Sequence, residues 1–147
     1  MKVRSILATK GMNVITVAPH IPIRDAVKLL TTHNIGALVV VDEANKPIGI
    51  LSERDIIRAA AENEALFTLL VSDLMTQQLI TGTPGDDTFS VAHTMTEKHF
   101  RHLPILEEGK LIGIVSIGDI MKAERDRYRG EIDTLETQIM ADQSKTG

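Results

Sequence analysis

The chain has 147 residues, of which 43% are hydrophobic and 24% charged, values that suit one ordinary globular domain or two closely joined small lobes. A formal charge of −4 argues against a general nucleic-acid binder, and the lack of cysteine excludes a disulfide framework, a thiolate zinc site and a cysteine nucleophile. No apolar run approaches the ~20 residues that span a bilayer, and Met1 to Ala8 lacks the apolar core of a signal peptide, so a soluble cytoplasmic protein is expected.

Along the chain, a lead-in Val3-Arg4-Ser5-Ile6-Leu7 is followed by Thr16 and Pro19 and then by a helical stripe of Ala26, Val27, Leu29 and Leu30. A β-branched run, Leu38 to Val41, comes next, then a polar turn from Asp42 to Pro47 and a second apolar run, Ile48 to Leu51. Ser52-Glu53-Arg54-Asp55 then opens another helix through Ile56 and Ile57.

The same order recurs. Val71-Ser72-Asp73-Leu74-Met75, Thr81 and Pro84 repeat the lead-in, and Ser90 to Met95 repeats the stripe. His99-Phe100-Arg101-His102-Leu103-Pro104-Ile105-Leu106 repeats the first strand, Glu107 to Lys110 the turn, and Leu111 to Val115 the second strand. Ser116-Ile117-Gly118-Asp119 opens the closing helix. Leu30 corresponds to Met95 and Leu38 to Leu103 at an offset of 65, whereas Gly49 corresponds to Gly113 at 64, so the second copy has the shorter turn.

Each copy therefore predicts helix, strand, turn, strand, helix. The strand runs do not alternate cleanly, so both sheet faces are expected to be covered, by helices on one side and the opposite repeat on the other. The expected fold is α/β (α+β), two small sheets with packed helices related by a pseudo-twofold. The expected boundaries are 1–65, 66–124 and a C-terminal extension over 125–147. In that extension Met121, Arg125, Tyr128, Ile132, Leu135 and Ile139 form a heptad-like seam, which predicts a helix that either packs on a second subunit or frays. Asp142 to Gly147 is expected to be disordered.

The repeats, the string Val71 to Thr76, the string Phe100 to Ile105 and the two Gly-x-x-Ser-x-x-Asp strings resemble the CBS domain, and two in tandem resemble a Bateman module. The resemblance implies a non-enzymatic regulatory module, energy- or redox-sensing, whose cleft holds up to two adenine nucleotides. It implies that Asp55 and Asp119 accept from ribose hydroxyls, that Ser52 and Ser116 support ribose or phosphate, and that adenine lies against the opposite repeat. The site at Ser116, Gly118 and Asp119 would then be walled by Thr16, Ile35, Gly36 and Ala37. The site at Ser52, Arg54 and Asp55 would be walled by Thr81, Phe100 and Arg101. AMP is the expected ligand, with ATP, ADP or NAD as alternatives and no metal. A homodimer acting on a separate, unidentified effector protein is expected, with neither membrane nor nucleic acid as partner.

Elementary chemistry agrees with these roles. An ionised aspartate offers two acceptor oxygens to the two donors of a vicinal diol, and a helix N-terminus favours phosphate. Gly118 leaves room for close approach, and Arg101 and His102 supply cationic donors. The same Ser-x-x-Asp strings also read as helix caps. Glu53 would oppose a phosphate at Asp55, so the Asp119 site is expected to be the tighter. His99 and His102 lack a third ligand at convincing spacing, and no nucleophile–base pair is visible. The alternative is an oligomeric adaptor with a vestigial cleft.

Overall fold

The computed structural model describes residues 1–146, and the side chains of residues 1–143. The first repeat supplies α1 (Val3–Lys10), β1 (Thr16–Val17), α2 (Ile23–His33), β2 (Ala37–Val41), β3 (Pro47–Ser52) and α3 (Glu53–Glu62). A 3-10 turn over Leu66–Thr68 leads to α4 (Val71–Leu74), α5 (Thr88–Lys98), β4 (His102–Glu107), β5 (Lys110–Ser116) and α6 (Ile117–Thr146). No helix among the described residues is long and apolar enough to cross a membrane.

The sheets are β1-β2-β3, with β1 parallel and β3 antiparallel to β2, and the antiparallel pair β4-β5. In the second repeat a single parallel bridge, Gly82 to Ile105, takes the place of β1. Every residue of β2 is buried, as a strand covered on both faces requires. Both α2 and α5 end in a left-handed residue, Asn34 (φ 51°) and His99 (φ 59°), which turns the chain into the following strand.

The two cores are not built from contiguous sequence. Val3, Ile6 and Leu7 of α1 pack with Val91, Met95, Leu103, Ile105, Val115 and Ile120 of the second repeat. Reciprocally, Val71, Leu74 and Met75 pack into the first core with Leu38, Leu51 and Ile56. Each lead-in thus belongs to the opposite lobe. The glycines at repeat-equivalent positions make this exchange possible. A Cβ on Gly113 would lie 2.7 Å from Leu7 Cδ2, and one on Gly49 would lie 2.9 Å from both Met75 Sδ and the Thr76 carbonyl oxygen. Leu7 and Met75 are themselves equivalent in the repeat.

The last helix leaves the lobe at Glu124. This carboxylate is buried, accepts from the Thr88 hydroxyl at 3.1 Å, and lies 3.3 Å from Arg127 Nε, an ion pair without hydrogen-bond alignment. From Arg125 to Gln143 every residue is exposed. The disorder expected from Asp142 onward is not found: α6 continues to Thr146, because no proline interrupts it and Met140, Ala141 and Gln143 are good helix formers. Gly147 lies outside the described residues.

Candidate functional site

Both Ser-x-x-Asp strings sit where a strand turns into a helix, so their side chains meet the free backbone N–H groups of a first turn. At the β3–α3 junction the Ser52 backbone N–H donates to Asp55 Oδ2 at 2.9 Å, the Ser52 hydroxyl donates to the same oxygen at 3.0 Å, and the Asp55 N–H donates to Ser52 Oγ at 3.3 Å. Asp55 Oδ1 has no partner among the described residues.

The β5–α6 junction repeats the cap but adds a cation. The Ser116 N–H donates to Asp119 Oδ2 at 2.9 Å and the Asp119 N–H donates to Ser116 Oγ at 3.0 Å. Lys10, at the end of the exchanged helix α1, donates to that same Oδ2 at 2.6 Å and to the Ile114 carbonyl oxygen at 2.8 Å. Burial would raise the Asp119 pKa, but the bonds from Lys10 and Ser116 outweigh it and hold the carboxyl below its usual range.

A cleft of about 500 Å³ opens beside Asp55. The first repeat lines it with Ile50, Ser52, Glu53, Arg54, Asp55 and Arg58. The segment after α4 contributes Thr76, Gln78 and Ile80, and the α5–β4 corner contributes Lys98, His99, Phe100, Arg101 and His102. Four fixed cations, Arg54, Arg58, Lys98 and Arg101, face two carboxylates here, and among the described residues none of the four is in an ion pair. The volume falls in the range of small-molecule sites, ~300–1,000 Å³.

His102 sits where the repeats meet. Its Nε2 lies 3.0 Å from the position a Cβ on Gly36 would take, and Glu53 Oε1 lies 3.3 Å from the same point. Burial lowers the His102 pKa and Lys10 and Arg101 lower it further, against Glu53 and Asp119, which raise it. The ring is therefore neutral at pH 7, so the cationic donor expected at this position is Arg101 alone.

Of the residues singled out from sequence, Ser52, Arg54, Asp55, Phe100, Arg101 and His102 converge on this one cleft. Phe100 packs partly on the second core and also lines the cleft. Thr81 stands apart, in a shallower depression of about 360 Å³ shared with Asp86 and Asp87. On the Asp119 side Thr16 is exposed, Ala37 is buried in β2, and Ile35 lines a separate depression beside α2. Gly36 is filled against His102, and a Cβ on the exposed Gly118 would meet only Ser116 Oγ, at 3.6 Å.

Lys10 bonds to one oxygen of the Asp119 carboxylate, whereas no lysine or arginine bonds to Asp55 among the described residues. Arg58, Thr76, Gln78 and Lys98 were not anticipated. Arg58 lies one helical turn beyond Arg54, and Thr76 closes the string that begins at Val71, so spacing held a signal for both. Gln78 and Lys98 carried none.

A family profile, CBS domain, matches residues 3–62 and 71–126. The chain is 38% identical over 120 residues to the CBS domain-containing protein CBSX3, mitochondrial, of Arabidopsis thaliana, covering 78% of this chain and 58% of that protein's length. Among solved structures it superposes on the CBS-domain containing protein ATU1752 from Agrobacterium tumefaciens with a TM-score of 0.82 and 38% identity, covering 84% of this chain and 99% of that one. It also superposes on the CBS domain pair of protein MJ0100 in complex with 5′-methylthioadenosine and S-adenosyl-L-methionine, with a TM-score of 0.77 and 30% identity, covering 86% and 98% of the two chains.

Proposed function

Because the chain belongs to the CBS-domain family, we propose that it is a non-catalytic cytoplasmic regulator that binds an adenine nucleotide beside Asp55 and signals to a separate protein. One observation carries this reading: in a cleft of nucleotide size, a carboxylate oxygen and four cations stand together, none of them with a bonded partner among the described residues. Asp55 would take the ribose diol, and Arg54, Arg58, Lys98 and Arg101 the phosphates. The adenosine ligands of the MJ0100 pair support the nucleoside part. That many cations disfavour the sulfonium of S-adenosylmethionine and favour a high negative charge, so we read ADP and ATP, with terminal phosphates, ahead of AMP and of NAD, whose diphosphate is partly offset by the cationic nicotinamide.

The cleft is built from α3 of one repeat and the α5–β4 corner of the other, so a bound phosphate chain draws the repeats together. The ligand then shifts the angle between them by its differential affinity for the two arrangements. We read the active form as a homodimer of such pairs.

Isothermal titration with AMP, ADP, ATP, NAD and S-adenosylmethionine tests the reading. ATP or ADP should bind, and Asp55→Asn should weaken binding roughly ten- to a hundred-fold, the loss of charge-assisted bonds. Silence from all five removes it and leaves the adaptor with an unused cleft.

A further inference from the structure

Beyond Glu124 the exposed arm of α6 carries an apolar seam. Past Glu124 every described side chain is exposed, and over Arg125 to Asp142 the helix runs roughly 27 Å. Tyr128, Ile132, Leu135 and Ile139 are between 49% and 57% exposed, although they step along the helix by four, three and four as one apolar seam. A lone helix of this length is marginal in water, so the seam needs a cover.

The charges identify the cover and its direction. Over 122–129 the arm carries Lys122, Arg125, Arg127 and Arg129 against Glu124 and Asp126; over 131–142 it carries Glu131, Asp133, Glu136 and Asp142 with no lysine or arginine. Over 122–129 the net charge is positive, and over 131–142 every charge is negative. A parallel pair would set like charge on like. An antiparallel pair sets the halves on each other.

We infer that α6 pairs antiparallel with α6 of a second copy of this chain. Ile132 then faces Leu135 of the second copy and Tyr128 faces Ile139 of the second copy, so four apolar layers stack about one twofold. In that register Arg129 falls beside Glu136 of the second copy. The pairing does not depend on the nucleotide reading, since no α6 residue past Glu124 lines the cleft.

Sedimentation equilibrium of the full chain should give twice the 16.1 kDa chain mass, and the double substitution Ile132→Asp with Leu135→Asp should halve it while leaving the nucleotide titration unchanged. Because the chain lacks cysteine, orientation can be read directly. Mixing a Tyr128→Cys chain with an Ile139→Cys chain under mild oxidation should yield the mixed cross-link in preference to either like pair. A monomeric wild type, a dimer that survives the double substitution, or like pairs of Tyr128→Cys would each overturn the pairing.

Discussion

Lys10 holds one oxygen of the second aspartate, and its removal should free that oxygen for a ligand. The Nζ–Oδ2 distance is 2.6 Å, and the two side chains are 36% and 27% exposed, so the pair is neither buried nor freely solvated. Charge-assisted bonds contribute ~1.5–3 kcal/mol when shielded and exposed ion pairs ~0–1 kcal/mol, which puts this one at about 1–1.5 kcal/mol. A ribose that takes Asp119 must first displace the lysine and lose that stabilisation. Lys10→Met keeps the methylene stem and removes the amine, so binding at Asp119 should tighten by roughly 5- to 12-fold. The ligand of choice is adenosine, which has no phosphate for Lys10 to meet. Calorimetry should show a second adenosine per chain in Lys10→Met at concentrations where wild type binds one. The variant should also melt a few degrees lower, about 2–5 °C for a loss of this size. An unchanged stoichiometry, or weaker adenosine binding, would mean that Lys10 is not a competitor for the carboxylate.

The exchanged lead-ins make the repeat glycines sensitive to size. Gly49→Ala should cost about 2–3 kcal/mol in urea unfolding because its Cβ meets the Thr76 backbone, whereas Gly113→Ala, which meets the tip of Leu7, should cost about 1 kcal/mol. Equal costs would count against the exchange as the reason for these glycines. His102 has a folded pKa below its unfolded value of about 6.5, so the unfolded chain takes up a proton first as pH falls. Its stabilisation is complete above about pH 6.5 and declines as pH falls toward the folded pKa; His102→Gln should flatten the slope of unfolding free energy between about pH 7.5 and 5.5, and an undiminished slope would assign it to other groups. Gly130 is helical, and a Cβ on it would meet nothing within 4 Å, so Gly130→Ala should raise helicity at 222 nm and stabilise the arm by about 1 kcal/mol.

The parts of this protein that depend on near neighbours were readable in the chain. Duplication at offsets of 65 and 64 announced two equivalent sheet-and-helix units, and the buried β2 run announced cover on both faces. The caps Ser52–Asp55 and Ser116–Asp119 are contacts across a single turn, fixed by spacing alone. The α6 seam is likewise a local period, and it was visible down to the arginine that breaks it.

What depends on how distant segments meet was not readable. The Lys10–Asp119 bond joins residues 109 apart, and it exists only because α1 crosses to the opposite lobe. A linear comparison of the repeats makes the two aspartates equivalent and even favours Asp119, whose neighbours are uncharged. Tertiary packing separates them by laying a lysine on one and leaving the other beside Lys98 and Arg101, which arrive from the other repeat. Periodicity and spacing reflect forces that act within a few residues, so the sequence determined the units and their caps. Which charged groups meet each aspartate is set by Coulomb and packing contacts across the chain exchange, and only the folded arrangement brings those groups within reach.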